Sequence, residues 1–232
     1  MIIIKDRLNK AVQNLVTKQW LEFFPDMGSV VRMDLMRRVG PLLICIELER
    51  YCNVLGHQYK PCFFVHNLAR EFPSLTTMLK LYLPLGLGLE NIRIENHKEK
   101  YLEAIKVMKN ITPIPFDGNI ALEHVLNTFQ KNIPRTISEL ETPAILASWA
   151  GEYNKAMQYV NWAEEIFKTW AESAQEYHGG KNWRANLVAK IEKPKELREI
   201  TRQEVIKHKL EKVPYQDFTD VAYKEGPIAK EG

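Results

Sequence analysis

Between Leu75 and Leu89 every odd-numbered position but one is leucine: Leu75, Leu79, Leu81, Leu83, Leu85, Leu87 and Leu89, with Thr77 completing the series. A repeat of two puts these side chains on one face of a strand, whereas a helix would scatter them around its axis, so the stretch selects β-structure. The opposite face carries Pro84, Gly86 and Gly88. Proline has no N–H for a ladder, so the strand is expected to end, bulge or lie at a sheet edge near position 84. The LGLGLE segment lacks the third glycine and the following helix start that a phosphate loop needs.

β-structure is expected upstream as well, from about residue 29 to residue 95. SVVRMDLMRR forms a first strand, Gly40-Pro41 a turn, and LLICIELER a second strand. That second strand is apolar on both faces where it begins and polar on one where it ends, so it runs from a covered centre to an exposed end. A loop containing Asn53 and Gly56 leads to a third strand, YKPCFFVHNL. Before this region, residues 5–24 carry helical spacing and stop at Pro25.

After residue 96 the period changes to that of helices. HKEKYLEAIKVMKN is followed by the connector ITPIPFDG, and Asn119 is expected to cap IALEHVLNTFQKNI, which Pro134 ends. Thr142-Pro143 has the form of a helix start, Gly151 divides the long stretch after it, and Gly179-Gly180 terminates that stretch. Tyr153, Met157, Val160, Phe167, Trp170 and Ala174 form its apolar stripe. NWRANLVAKIE and a helix of mixed charge over 195–212 complete the series. A meander followed by helices gives an α+β fold, not βαβ alternation. One α+β domain is expected over 1–213 (β-rich 1–95, α-helical 96–213), with 214–232 a loosely attached C-terminal tail.

Composition removes several function classes. The chain of 232 residues has a net charge of +3, and its most basic window, 181–212, alternates ten Lys or Arg with five Glu. Interspersed signs suit a solvated helix face and not a phosphate-binding stripe, so nucleic acid is not an expected partner. No window approaches the about 20 apolar residues of a membrane span, and the opening MIII is far shorter than the central region of a signal peptide. Three cysteines make no disulfide framework, and a reducing cytoplasm is the expected setting.

CNVLGHQYKPCFFVH offers four zinc-type ligands: Cys52, His57, Cys62 and His66. Their order matches no usual finger, and on a strand Cys62 and His66 stand about 13 Å apart, too far for one ion. No metal site is expected. Cys45 facing His66 across a ladder would be a nucleophile–base pair, but an apolar setting makes the thiol inert. Glu47 and Glu49 share a strand face at about 6.5–7 Å, a separation open to glycosidase-like chemistry. Glu164 and Glu165 diverge around a helix.

No assembled catalytic motif and no cofactor fingerprint is present, so no catalytic residue is assigned. Tyr159 and Trp162 fall off the apolar stripe beside Glu165, and Trp183 follows nearby. An off-stripe tryptophan among charges is the residue type that anchors interfaces, so these four are the expected partner surface. The expectation is a non-enzymatic, cytoplasmic protein-interaction protein. Its specific form would be a bacterial toxin-neutralising (immunity-type) protein, with a cognate toxin as partner. The alternative is a small hydrolase-like enzyme whose dispersed site draws on Glu47, Glu49, His57, His66 and His124.

Overall fold

The fold is known from a computed structural model, which describes residues 8–53, 56–72 and 77–228. Helix α1 (Lys10–Leu21) starts at Asn9, whose side chain accepts the Val12 N–H. The expected first strand over residues 29–38 begins only at Asp34, as β1 (Asp34–Val39). Met33 explains the late start: it sits in the left-handed region at φ 71° and gives its N–H to the Thr17 hydroxyl of α1. Gly40 and Pro41 then turn the chain tightly into β2 (Leu42–Asn53). Gly40 is held at φ 53°, a conformation glycine takes without strain.

Strand β2 pairs antiparallel with β3 (Gly56–Asn67) along its whole length. Its gradient is as expected: Leu42 to Ile46 are buried, Glu47 and Glu49 half-buried, and Arg50 to Cys52 exposed. The period-two segment supplies β4 (Met78–Tyr82) at a sheet edge, and β5 (Ile92–Arg93) pairs with β3 beyond it. The alternation is cut short twice. A bulge between Phe63 and Val65 of β3 inserts one residue into β4, where Leu79 adopts φ 51°, and the strand stops two residues before Pro84. Leu85 and Leu87 are therefore exposed, at 85% and 47%.

The helical half comprises α2 (His97–Ile111), α3 (Leu122–Lys131), α4 (Ile137–Trp149), α5 (Tyr153–Phe167), α6 (Glu172–Tyr177), α7 (Trp183–Ile191) and α8 (Pro194–Lys207). Two expected starts move. Helix α4 begins at Thr136, whose hydroxyl accepts the Glu139 N–H in a T-x-x-E box, so Pro143 lies inside the helix. Helix α3 is capped not by Asn119 but by Asp220, which accepts the N–H groups of Leu122 and Glu123 at 2.6 and 3.0 Å. Ten consecutive residues of α4, Leu140 to Trp149, are buried, as in a helix sheathed on all sides.

The C-terminal segment also departs from expectation: where a loose tail is predicted, residues 214–228 are packed. Tyr215–Gln216 forms β6, the one parallel neighbour of β1, and Phe218 is fully buried against Trp149 and Gly40. The Asp220 cap ties the segment to α3 from 98 residues away, a contact no local pattern encodes.

The sheet runs β4-β3-β2-β1-β6. One face packs Leu35, Val39, Leu42, Ile44, Ile46, Phe63 and Val65 beneath the helices, with Trp20 and Trp149 among the largest buried side chains. The other face packs Met36, Leu43, Cys45, Cys62 and Phe64 under α8 and the segment to Val213. Arg38 also lies on this second face, fully buried, with its guanidinium 4.8 Å from the Tyr215 ring. Its three side-chain nitrogens have no hydrogen-bond partner among the described residues. The facing carboxyl of Glu225 is pushed up to about 7 by burial.

Candidate functional site

The four residues expected to form a partner surface do not share one. Trp183 is buried: its Nε1 donates to Glu141 Oε1 at 2.9 Å, and its ring stacks on Phe167 at 4.4 Å. Tyr159 is buried as well and Trp162 half-buried, the two rings meeting edge to face at 6.1 Å. They line a shallow groove of about 230 Å³ with Glu123, Lys155 and Gln158. Glu165 is exposed and pairs with Lys168 at 2.8 Å. The buried face of α5 runs through Ala156, Tyr159, Val160, Ala163 and Phe167, so the stripe is rotated from the expected one and Tyr153 faces out. Small alanines decide this face because α4 packs close against it, and a pattern weighted to large side chains misses them.

The titratable pool is equally dispersed. Cys52 and His57 are cross-strand partners with Sγ and Nε2 3.9 Å apart, while Cys62 is buried on the second face. Among the described residues no group of three His, Cys, Asp or Glu is placed to hold a metal ion. The ladder sets Cys45 opposite Phe64 and His66 opposite Leu43, so thiol and imidazole are diagonal neighbours. Burial pushes the Cys45 thiol well up, as an apolar site should. His66 is buried against Phe72, and exposed His124 contacts the Pro113 carbonyl.

Glu47 and Glu49 belong to a cluster at the open end of the second sheet face. Glu49 accepts from Tyr51 Oη at 2.7 Å, Lys80 Nζ at 2.7 Å and Tyr82 Oη at 3.0 Å. Burial raises its pKa, but these hydrogen bonds outweigh that and hold the carboxyl below its usual range. Asp34, which the sequence reading passed over, faces Glu47 across the β1–β2 ladder. Burial first, and the Glu47 charge second, push the Asp34 carboxyl up to about 7. Burial and Glu49 also raise Glu47. The two-residue turn at Gly40-Pro41 sets this register.

None of the four described grooves is lined by Glu47, Glu49, His57, His66 or His124. The groove beside β4, about 650 Å³, is built differently. One wall is the edge strand at Leu79–Leu81, and the other is the connector from Asn132 to Thr136. Phe129 and Pro113 contribute apolar surface, Ile133 stands 86% exposed at the rim, and Lys131 and Arg135 flank it. Glu139 fastens the walls together, accepting the Leu79 N–H at 3.1 Å and the Arg135 N–H at 2.7 Å. Its carboxylate is thereby spent on backbone donors.

No protein family model matches this chain, and no curated protein or solved structure does either. Among the described residues no helix is long and apolar enough to cross a membrane. The functional reading therefore rests on the geometry of the chain itself.

Proposed function

We propose that the chain is a protein-binding module whose docking surface is the groove between the β4 edge and the α3–α4 connector. The observation that carries this reading is an edge strand bordering a groove of mixed apolar and charged lining with a solvent-exposed isoleucine at its rim. Edge strands offer unpaired backbone groups to an incoming chain, and exposed aliphatic surface beside them supplies the desolvation that affinity needs. This reading places the partner surface at the α3–α4 connector and not at Tyr159 and Trp162. An immunity-type role is the specific form we carry forward; it requires a single cognate protein held tightly on this surface.

The test is a photo-crosslinking amino acid placed at Ile133 and, as a control, at equally exposed Tyr177. One discrete protein adduct at position 133 and none at 177 is the expected result in the native host. Equal, diffuse labelling at both positions overturns the reading.

A second reading, a small hydrolase-like enzyme, draws on Asp34 and Glu47, two facing carboxyls of which one is pushed up to about 7 beside a Glu49 held charged. It predicts a hydrolytic activity that Asp34→Asn abolishes without unfolding the chain.

A further inference from the structure

We propose that the occupant of the β4 groove is an extended segment of a partner protein in which acidic and aliphatic residues alternate. This inference rests on the docking reading above and adds the chemistry of the ligand.

Charge in the groove selects the sign. Three cations and one anion line it: Lys80, Lys131, Arg135 and Glu139. Lys80 is committed to Glu49, and Glu139 is committed to two backbone N–H groups. Lys131 and Arg135 remain: among the described residues neither side chain forms an ion pair, and both are exposed. The accessible charge of the groove is thus positive, although the protein as a whole is close to neutral for its size. A carboxylate entering here meets two uncommitted cations, whereas a lysine is repelled.

Backbone shape selects the extended form. Strand β4 forms one wall, bulged at Leu79, and the other is a connector whose ends, Asn132 and Thr136, are extended with ψ of 132° and 156°. The Leu79 N–H points away from β3 and is met by a carboxylate oxygen of Glu139, so acceptor chemistry already satisfies this edge once. An extended occupant presents alternate residues to opposite sides. Its aliphatic side chains then lie on Leu81 and Phe129 while its carboxylates rise toward Lys131 and Arg135. Those cations flank the groove four residues apart in the chain, so carboxylates at successive same-side positions of the occupant can meet both.

The probe is a blocked octapeptide alternating valine and glutamate, titrated into the isotopically labelled full chain and followed by amide chemical shifts. Its counterpart alternates valine and lysine. The expected result is saturable shifts confined to residues 78–82 and 129–139 with the acidic peptide only. Inverting both cations (Lys131→Glu with Arg135→Glu) should weaken the acidic peptide by about tenfold and admit the basic one, an effect of two rim charges. Lys131→Gln with Arg135→Gln should fall between, and thermal melts of both variants check that the fold is intact. Equal shifts from both peptides at the groove overturn the acidic occupant but leave the docking surface standing. Shifts from neither peptide, or only elsewhere on the surface, overturn the docking surface too. Concentration-dependent shifts of the same residues without peptide make a second copy the occupant and overturn the proposal.

Discussion

The two faces of the sheet are made from alternate residues of the same strands, yet they hold opposite chemistry. Along β2, Leu42, Ile44, Ile46 and Leu48 enter a continuous apolar core under the helices. Their neighbours Leu43, Cys45, Glu47 and Glu49 pass from a small apolar cluster to a set of half-buried carboxylates. The first face is covered from Leu42 to Leu48, and those positions of β2 are all apolar. The second is covered only where α8 and the C-terminal segment reach, and polar groups collect where that cover ends. The difference teaches that coverage, and not strand propensity, sets the residue type on each face.

The contrast can be broken most sharply at Ile46. Ile46→Ala should cost about 2–5 kcal/mol, as for a fully buried large-to-small change, and denaturant unfolding measures it. If the cost is below 1 kcal/mol, on the order of an exposed site, the first face is not the core. On the second face the largest expected effect has the opposite sign. Arg38→Met together with Glu225→Met should stabilise by about 1–4 kcal/mol, because a buried guanidinium without hydrogen bonds and a buried carboxyl are replaced by apolar groups. Arg38→Met alone should be less stable than the pair.

Asp34 makes the polar end of this face pH-dependent. The folded state keeps its proton to about pH 7, whereas the unfolded chain releases it near the ordinary 3.8. Folded protein therefore binds more protons between these values, and stability from this group falls as pH rises from 4 to 7 and levels off above. Asp34→Asn should flatten that slope and stabilise the protein at pH 8 by on the order of 1 kcal/mol, after allowance for solvent screening. Melts at pH 5 and pH 8 compare the two. The smallest effect is expected from Glu49→Gln, below about 1 kcal/mol, since its partners Lys80, Tyr51 and Tyr82 all reach solvent.

Much of this was legible in the chain. Alternation in LLICIELER announced both the strand and its exposed end, and Pro84 announced that its strand would end, bulge or lie at an edge. Gly151 and Gly179 divided the helices where φ of 90° and 106° require glycine. The Asp34–Glu47 register was not read from the chain, because a Gly-Pro turn signal does not by itself set the loop length; the structure shows a two-residue turn. The interaction surface was read less well. Tyr159 fell off the apolar stripe by helical period, but the alanines of α5 let α4 approach and the buried face includes it; Trp183 is buried on α7 against Phe167 and Glu141.

Sequence by itself determined the broad order, an N-terminal helix, then strands, then helices, and that the leucine-rich strand would end, bulge or reach a sheet edge near Pro84. These follow from local backbone rules, which act within a few residues. Tertiary structure alone decided that Asp220 caps α3, that Phe218 belongs to the core, and that Lys131 and Arg135 stand over a groove beside β4. Those depend on chain segments meeting across 50 to 100 residues, where packing and not periodicity chooses the neighbour.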